Sequence, residues 1–441
     1  MTLDEVLGQR VAVWGMGAEG SAFVGLARRR GVEPVLVDDD PVGPAARFGA
    51  PVLLPADVPW SGVDVVVRAP GVSRYRPELA AAEEAGARVT TAMALWLEDH
   101  ADDAVLAVTG TKGKSTTAEL AASVLRNDGL AVALIGNIGV PVLDTYGRPP
   151  ADVYVVEVSS YQATDVEVPP RVVVLTSLAP DHLDWHGGVE AYYRDKLRLV
   201  GTGALAVSAG SPEAVRRTAW HRDRTLYGPE GRVRIGDDGW VVADGERVVD
   251  TGRLQVLGRH NAWNLCGAVA GALLLTGRLP TTDAATTAVD GFAGLPSRCH
   301  PIGRRAGRTY VDDALASNPF AAAASVDAFA DRPLTVIVGG ADRGVDPEPL
   351  VTAVRSHRPP AEVIVLAPGA DRLAAALTDG GVPTANVRSA DDLAAAVGVA
   401  TGLTPRGGVV LFSPGAPTPE GGGGYRARSR QFAEAAGFGA D

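Results

Sequence analysis

The chain has 441 residues, of which 46% are hydrophobic, and its formal net charge is -11. This length fits about three domains of ordinary size, and the hydrophobic content is enough to give each a core. The acidic balance argues against nonspecific nucleic-acid binding, but it is compatible with an anionic substrate held by local cations. The two cysteines, Cys266 and Cys299, argue against a disulfide framework or a thiolate metal site.

No targeting or membrane segment is predicted. The N-terminus is acidic and lacks the basic-then-apolar pattern of a signal peptide, and the longest apolar runs are much shorter than a membrane span. We therefore expect a cytoplasmic protein that acts as a monomer, with neither a membrane nor a nucleic acid as its partner.

The first part of the chain predicts a small α/β domain. A strand-like run at 11–13, a helical pattern at 21–30 and a strand-like run at 34–37 form a βαβ unit. A further strand and helix follow, so this domain is assigned to residues 1–98.

A glycine-rich turn joins the first strand of this domain to its first helix. Gly15 and Gly17 open a G-x-G-x-x-G pattern, and Asp38 and Asp39 end the next strand. Such a turn places a diphosphate over the helix N-terminus and a carboxylate on the ribose hydroxyls. NAD and a nucleotide-diphosphate substrate both fit the pattern, and a tight turn without a ligand is the alternative.

The segment 109–116 has the composition of a loop that holds nucleotide phosphates. Its residues in this role are Gly110, Thr111, Gly113, Lys114, Ser115 and Thr116. Lys114 can place its ammonium group between the β- and γ-phosphates, and the Ser115 hydroxyl can complete a Mg²⁺ shell. The full P-loop pattern has a glycine at the position of Val108, so the match is to the shorter G-T-x-G-K-S-T form. A surface turn without a ligand is the alternative.

This loop begins a second α/β domain, which is assigned to residues 99–296. A strand predicted at 104–108 leads through the loop into a helix predicted at 116–125. Further strand candidates lie at 153–158, 172–175 and 205–207. Between 233 and 256 short alternating runs are broken by Asp-Gly turns, which is typical of hairpins added to a parallel sheet.

Alternating strands and alanine-rich helices begin again near residue 297 and define a third domain, residues 297–441. Its strand candidates lie at 309–311, 334–338, 363–366 and 409–412. The glycine tract 421–424 predicts a flexible loop. The predicted fold class is therefore α/β, with a Rossmann-like N-terminal domain, a central P-loop-type ATPase carrying a small β part, and a Rossmann-like C-terminal domain.

Two polar residues end or follow apolar strands of the middle domain. Glu157 and His182 both belong at the carboxyl edge of the sheet, where either can reach a metal near the γ-phosphate. A carboxylate is the expected ligand of Mg²⁺, whereas an imidazole is less usual. By itself His182 is as well explained as a helix-capping or structural histidine, and Lys196, in a helical stretch, as a solvated lysine.

Seven motifs stand in the order in which the Mur ligases carry them. They occupy residues 110–116, 136–139, 157–162, 181–187, 192–197, 258–264 and 294–299. The chain therefore resembles the Mur ligases over nearly its whole length. The resemblance is greatest to members that add glutamate to UDP-N-acetylmuramoyl-L-alanine in peptidoglycan synthesis.

The resemblance implies ATP and two Mg²⁺ ions as cofactors. It assigns the 110–116 loop to the ATP phosphates and one Mg²⁺, and Glu157 and His182 to the second ion. Lys196 would be the lysine that family members carbamylate, a change that turns a cation into a carboxylate-like metal ligand.

The resemblance also assigns substrate contacts. Asn137 and His182 would contact the muramoyl substrate. The UDP group would be bound by Gly15, Gly17, Asp38 and Asp39. ATP would also be bound by Asn261, Asn264, Arg298 and Asp313. In the implied reaction, the substrate carboxylate attacks the γ-phosphate to give an acyl phosphate, which the glutamate amine then attacks. Because residues of all three domains take part, the domains are expected to close on the substrates.

The chain departs from the family pattern in the glutamate pocket, which the resemblance places around Ser317, Arg343 and Ser413. Leu315 stands where a lysine is usual, and Arg343 replaces another lysine with a forked guanidinium. The tract 421–424 replaces a segment that normally holds an aromatic residue over the amino acid. The ATP and UDP-sugar motifs are intact.

These changes predict an altered amino-acid acceptor. They resemble a branch of the family that adds L-glutamate, after which a separate epimerase inverts the new residue. Ordinary D-glutamate addition is the first alternative. More distant alternatives are an NAD-dependent oxidoreductase, a noncatalytic UDP-sugar-binding protein and a ligase similar to folylpolyglutamate synthetase.

Overall fold

A computed structural model describes residues 1–441 except 139, 257, 342–344, 368–369, 420 and 440–441. It contains three sheets built mainly from parallel strands, and the predicted α/β class is confirmed. The chain divides into two compact units. The first comprises Met1–Gly252 with Trp263–Val289, and the second Arg253–Ala262 with Asp290–Asp441.

The first sheet, in the first unit, has five parallel strands in the order β3-β2-β1-β4-β5. They are β1 (Val11–Trp14), β2 (Val35–Val37), β3 (Val52–Leu53), β4 (Val65–Arg68) and β5 (Arg88–Thr90). The helices are α1 (Leu3–Leu7), α2 (Ala18–Arg29), α3 (Val42–Phe48), α4 (Pro77–Glu84) and α5 (Ala92–Asp99). The strand order reverses at β1, and the glycine turn that follows β1 therefore lies at the ligand crevice of the sheet.

The second sheet, also in the first unit, has nine strands in the order β14-β13-β12-β11-β10-β9-β6-β8-β7. They are β6 (Val105–Thr109), β7 (Val132–Gly136), β8 (Val153–Glu157), β9 (Val172–Leu175), β10 (Ala204–Ser208), β11 (Arg224–Tyr227), β12 (Val233–Ile235), β13 (Trp240–Ala243) and β14 (Glu246–Asp250). The last three strands pair antiparallel, as the hairpin prediction requires. Strand β6 lies between β8 and β9, so the loop after it opens at the middle of the carboxyl edge.

The helices associated with this sheet are α6 (Lys114–Asn127), α7 (Ser160–Ala163), α8 (Leu183–His186), α9 (Val189–Leu197), α10 (Pro212–Arg217), α11 (Arg259–Thr276) and α12 (Thr282–Asp290). Helix α6 begins at Lys114, two residues before its predicted start. The phosphate loop therefore passes directly into the first turn of the helix.

The third sheet, in the second unit, has six strands in the order β15-β16-β20-β17-β18-β19. They are β15 (His300–Arg305), β16 (Arg308–Asp312), β17 (Leu334–Val338), β18 (Glu362–Leu366), β19 (Val387–Ala390) and β20 (Val409–Phe412). The helices are α13 (Pro319–Asp327), α14 (Glu348–Ser356), α15 (Ala370–Asp379), α16 (Leu393–Leu403) and α17 (Gly424–Ala436). Helix α17 starts on the last residue of the glycine tract, so the prediction of a loop through residue 424 is wrong at that residue.

The apolar core of the first unit is continuous through both of its sheets. One cluster of buried side chains includes Val13 of β1, Met16 just after it, Trp96 of α5 and Val156 of β8. Trp96 Nε1 also donates a hydrogen bond to Thr145 Oγ1 at 2.9 Å. The predicted boundaries at residues 98 and 296 fall between sheets, and the three-domain division of the sequence stays a prediction.

Short 3-10 helices complete the described secondary structure, at Pro55–Asp57, Trp60–Gly62, Val142–Thr145, Thr251–Arg253 and Thr384–Asn386. Both cysteines are free and buried. Among the described helices, none has the length and apolar character that crossing a bilayer requires.

Candidate active site

The phosphate loop requires glycine at two positions. Gly110 has φ +146° and Gly113 has φ +86°, in the left-handed region that favours glycine. A β-carbon on Gly110 would overlap Thr176 Oγ1, and one on Gly113 would overlap Asn264 Oδ1. Asn264 therefore lies against the loop, as expected of a residue assigned to ATP. Thr111 also holds the loop to the segment that follows β9, since its N–H donates to the Ser177 carbonyl at 2.9 Å.

Two lysine side chains meet at the carbonyl of Gly110. Lys114 Nζ donates to this oxygen at 3.0 Å and to the Thr111 carbonyl at 3.2 Å. Lys196 Nζ, from helix α9, donates to the Gly110 oxygen at 3.1 Å. The structure thus brings the predicted phosphate-binding lysine and the predicted carbamylated lysine together.

Lys196 is 1% exposed, so its interpretation as a solvated lysine is wrong. The reason is that α9 packs its tyrosine-bearing face inward, and Lys196 Nζ lies 5.1 Å from the centroid of the Tyr192 ring. Burial lowers the pKa of Lys196 well below its ordinary value of 10.5, and the nearby charge of Lys114 lowers it further.

A second cluster forms around the buried carboxylate of Glu157, at the end of β8. Ser115 Oγ donates to Glu157 Oε2 at 2.6 Å, and Asn137 Nδ2 donates to Oε1 at 2.8 Å. Glu157 is 0% exposed. The two residues predicted to bind Mg²⁺ through oxygen are therefore in direct contact, with Asn137 beside them. Thr116 follows on α6 and is half-buried.

His182 has a left-handed backbone conformation, with φ 52°, at the position before helix α8. Its side chain makes no capping hydrogen bond to that helix, so it is not a side-chain helix cap. Burial lowers the pKa of His182 to about 4, an effect that Asp181 opposes and the neighbouring lysines reinforce. The imidazole is therefore neutral at pH 7, which is the form that can bind a metal.

The chain contains only three lysines, Lys112, Lys114 and Lys196, and all of them lie here. Lys112 Nζ is 3.5 Å from Asp181 Oδ2, on the segment that carries His182. Every other cationic side chain outside the histidines is an arginine. This concentration of lysine at one place is visible in the sequence, and it is a further signal of the site.

The glycine turn of the first sheet borders a cavity of about 380 Å³. The cavity is lined by Trp14, Gly15, Met16, Gly17, Ala18, Glu19, Asp38, Asp39 and residues 69–72. Asp38 Oδ2 accepts the Met16 N–H at 2.7 Å and so closes the turn, while Asp39 pairs with Arg76 at 2.6 Å. The residues predicted to receive UDP therefore share one cavity.

Glu19 is a residue of this cavity that the sequence analysis did not single out. Gln162, from the 157–162 motif, donates its side-chain N–H to Glu19 Oε1. Burial raises the pKa of Glu19 to about 7, against the opposing effects of Gln162 and Arg68. The sequence signal for this residue is the presence of a glutamate within the glycine-rich pattern that begins at Gly15.

The remaining predicted residues belong to the second unit. Asp313 Oδ2 accepts hydrogen bonds from Ser325 Oγ at 2.6 Å and Ser413 Oγ at 2.7 Å, and Asp313 Oδ1 accepts the Cys299 N–H at 3.0 Å. Ser413 is 0% exposed, and its hydroxyl is held by the hydrogen bond to Asp313. Ser317 lines a separate small cavity, of about 70 Å³.

Two further ATP candidates also lie in this unit. Asn261 is buried, and its N–H donates to the Gly258 carbonyl at 3.0 Å. Arg298 is half-buried between Ser297 and Cys299, both of which have left-handed φ angles. Arg343, predicted to contact glutamate, lies outside the described residues.

Comparison with known proteins identifies the family. Residues 108–272 match the Mur ligase middle domain, and residues 297–415 match the Mur ligase glutamate ligase domain. A UDP-N-acetylmuramoyl-L-alanine--L-glutamate ligase of a Micromonospora species is 40% identical, over 99% of this chain and 98% of the relative. The ligase of the same name from Salinispora tropica is also 40% identical, over 99% of both chains.

Among solved structures, MurF from Acinetobacter baumannii has the same fold, with a TM-score of 0.63 and 18% identity. The match covers 96% of this chain and 90% of that one. The chain belongs to the Mur ligase family. This membership confirms the predicted class of enzyme, an ATP-dependent ligase that forms ADP, and it displaces the oxidoreductase alternative.

Proposed function

We propose that this enzyme joins L-glutamate to the carboxyl group of UDP-N-acetylmuramoyl-L-alanine in peptidoglycan synthesis, with hydrolysis of ATP to ADP. The observation that carries the proposal is the phosphate loop with Lys114, Ser115 and Glu157 in contact around it, in a chain similar from end to end to L-glutamate ligases. Ordinary D-glutamate addition is the competing reaction.

Lys114 is proposed to hold the β- and γ-phosphates of ATP, with loop N–H groups and the N-terminus of α6 facing the same anions. Its ammonium group would exchange the carbonyls of Gly110 and Thr111 for phosphate oxygens. Asn264, against the loop, and Asn261, Arg298 and Asp313, in the second unit, would bind the remainder of the nucleotide.

The residues present fit Mg²⁺. Glu157 supplies a hard carboxylate oxygen at the loop, and Ser115 supplies a hydroxyl. Within the described residues, no three His, Cys, Asp or Glu side chains are grouped as a metal site. Two Mg²⁺ ions would therefore take further oxygens from phosphate and from a carbamate on Lys196, with His182 adjacent. Bound there, the ions would offset negative charge on the transferred phosphoryl group.

A carbamate on Lys196 fits its surroundings better than an ammonium group does. Burial depresses the pKa of Lys196, so its neutral amine is more favoured than in a solvated lysine, and a neutral amine adds CO₂ whereas an ammonium ion does not. The resulting anion would also face Lys114 as an opposite charge rather than a like one.

The UDP group is assigned to the 380 Å³ cavity beside Gly15 and Gly17. Asp38 holds the glycine turn in shape through the Met16 N–H, and Asp39, with its partner Arg76, is proposed to face the ribose hydroxyls. Asn137, in contact with Glu157, would meet the muramoyl end of the substrate.

Glutamate selection is assigned to the second unit, through Ser317, Ser413 and Arg343. A guanidinium at position 343 can bind a carboxylate through two parallel hydrogen bonds, which a lysine cannot. The product would then carry L-glutamate and require an epimerase to act on it afterwards. The enzyme is proposed to act as a monomer.

The test is phosphate release by the purified protein with ATP, Mg²⁺ and UDP-N-acetylmuramoyl-L-alanine, supplied with L-glutamate or with D-glutamate. The proposal predicts release with L-glutamate and a product whose mass includes one glutamyl group. Phosphate release with D-glutamate alone would establish the competing reaction. No phosphate release with either enantiomer would contradict the assignment of the substrates.

A further inference from the structure

Three buried side chains lie behind the candidate metal site in a continuous hydrogen-bonded series. His186 Nδ1 is 2.7 Å from Asp195 Oδ2, and His186 Nε2 is 3.0 Å from Ser160 Oγ. Ser160, His186 and Asp195 are 3%, 1% and 2% exposed. The imidazole can donate Nδ1–H to the carboxylate and accept a hydrogen bond from the serine hydroxyl at Nε2, which gives each polar group a partner. We call these three residues the positioning chain.

The order of hydroxyl, imidazole and carboxylate is that of a hydrolase triad, but Ser160 is buried and aromatic rings cover the imidazole, which does not suit a nucleophile. A nucleophilic serine must reach a substrate carbonyl, and Ser160 is 3% exposed. The aromatic rings of Trp185 and Tyr161 cover the imidazole, with centroids 4.4 and 5.7 Å from the His186 ring. Any effect of these residues on the reaction must therefore pass through their neighbours.

Each member of the positioning chain lies on a different segment of the candidate metal site. Ser160 follows Glu157 in one motif, and His186 ends the short helix that begins after His182. The third member, Asp195, directly precedes Lys196 on helix α9. The three segments are thus tied together by residues that lie one to four positions from their predicted ligands.

Two residues that follow strand β4, Ser73 and Tyr75, also hold this arrangement in place. Tyr75 OH lies 2.9 Å from both carboxylate oxygens of Asp195 and donates to the carboxylate. Ser73 Oγ donates to the Trp185 carbonyl at 2.7 Å. Both residues follow the 69–72 segment, which lines the cavity assigned to UDP.

We propose that the positioning chain sets the relative places of Glu157, His182 and Lys196, and thereby the affinity of the enzyme for its second divalent cation. The proposal rests on the proposed function only in assigning a cation to these three side chains. Groups that orient metal ligands from behind change affinity by roughly 10- to 100-fold when they are removed.

The test is a titration of the full-length protein with Mn²⁺ in the presence of β,γ-methylene-ATP, with free Mn²⁺ followed by electron paramagnetic resonance. Mn²⁺ replaces Mg²⁺ at oxygen-rich sites. His186→Phe retains an aromatic ring but removes both hydrogen bonds. We expect the wild type to bind two ions and His186→Phe to bind the weaker ion at least about 10-fold less tightly, with the other ion unaffected.

His221→Phe is the matched control. His221 is also buried, at 8% exposure, but it lies beside Pro170 and Gly203, where strands β9 and β10 begin, at the opposite edge of the sheet. We expect this substitution to leave both Mn²⁺ affinities unchanged, whatever it does to the thermal unfolding midpoint.

A pair of substitutions at Asp195 separates positioning from folding and carries the test should His186→Phe not fold. Asp195→Asn keeps an acceptor for His186 Nδ1–H and should retain the weaker ion, whereas Asp195→Leu should lose it. The proposal would be overturned if Asp195→Asn and Asp195→Leu changed the affinity for the weaker Mn²⁺ ion equally. It would also be overturned if His186→Phe left that affinity unchanged or if the wild type bound only one ion. Wild-type binding of two ions without amide formation from either glutamate would instead refute the proposed function alone.

Discussion

Lys114 and Lys196 donate to the same acceptor, the carbonyl oxygen of Gly110, at 3.0 and 3.1 Å. Two ammonium groups at one oxygen repel each other, and the buried one loses more hydration. The pKa of Lys196 is accordingly lowered, first by burial and then by Lys114. Of the two amines, Lys196 is thus the one whose neutral form is favoured, and a neutral amine is the form that CO₂ modifies.

The first prediction concerns a carbamate on Lys196. Protein equilibrated with ¹³C-bicarbonate should show one carbamate resonance, which Lys196→Ala removes and Lys112→Ala retains. Because burial and the charge of Lys114 lower the pKa of Lys196, the uncharged amine is more favoured than in a solvated lysine, and acidification should protonate the amine and release CO₂. The resonance and the ligase activity should therefore decline together as the pH falls. A resonance that survives Lys196→Ala would contradict the assignment.

Lys114 should contribute to the chemical step more than to nucleotide binding. Lys114→Ala removes a cation aimed at the transferred phosphoryl group, and we expect kcat to fall by roughly 100- to 1,000-fold. Initial rates of phosphate release would measure this change, with ADP affinity as a second readout. Lys112→Ala, in the same loop but paired with Asp181, is the comparison and should lose much less. Similar losses in the two variants would argue against the special role of Lys114.

Glu157→Gln should raise the Mg²⁺ requirement. The amide keeps an acceptor for Ser115 Oγ but removes the negative charge that would bind the ion. We expect the Mg²⁺ concentration for half-maximal activity to increase by roughly 10- to 100-fold, as measured by Mg²⁺ titration of initial rates. Glu167→Gln, at an exposed carboxylate further along the chain, should change nothing. An unaltered Mg²⁺ curve in Glu157→Gln would place the ion elsewhere.

Glu19 should make stability depend on pH. The pKa of Glu19 is raised from 4.5 to about 7 in the folded protein. Its contribution to the free energy of unfolding is therefore fully present below about pH 4.5 and is lost as the pH rises through 7. Between pH 5 and 8 the free energy of unfolding of the wild type should fall by about 2 to 3 kcal/mol more than that of Glu19→Gln. Urea unfolding at both pH values measures this difference, with Glu84→Gln as a surface control. Parallel curves for wild type and Glu19→Gln would refute the raised pKa.

Buried strands were the most predictable part of the fold. Strand β20 (Val409–Phe412) has the predicted bounds because all four of its side chains are apolar and buried. Five of the six strands that the sequence did not predict, including β5 (Arg88–Thr90) and β7 (Val132–Gly136), lie at sheet edges. An edge strand has one unpaired side and is partly exposed, and a continuous apolar run is therefore not needed there.

The candidate site was predictable where chemistry is local in sequence. The phosphate loop follows from the residues after β6, and the place of Glu157 near it follows from the end of β8. The direct contact of Ser115 with Glu157 was not predicted, because the two residues are 42 positions apart and were assigned to different ions. The burial of Lys196 did not follow, because the mixture of charges on α9 is that of an exposed helix. Nor did the contact between His186 and Asp195, which depends on how two helices pack.

The central claim is that this enzyme selects L-glutamate, and a competition experiment tests it most directly. The protein would be supplied with ATP, Mg²⁺, UDP-N-acetylmuramoyl-L-alanine and equal amounts of both enantiomers, each carrying a different isotope. Mass spectrometry of the product should then show the isotope of L-glutamate. A product carrying the isotope of D-glutamate would contradict the claim and return the enzyme to the ordinary reaction of its family.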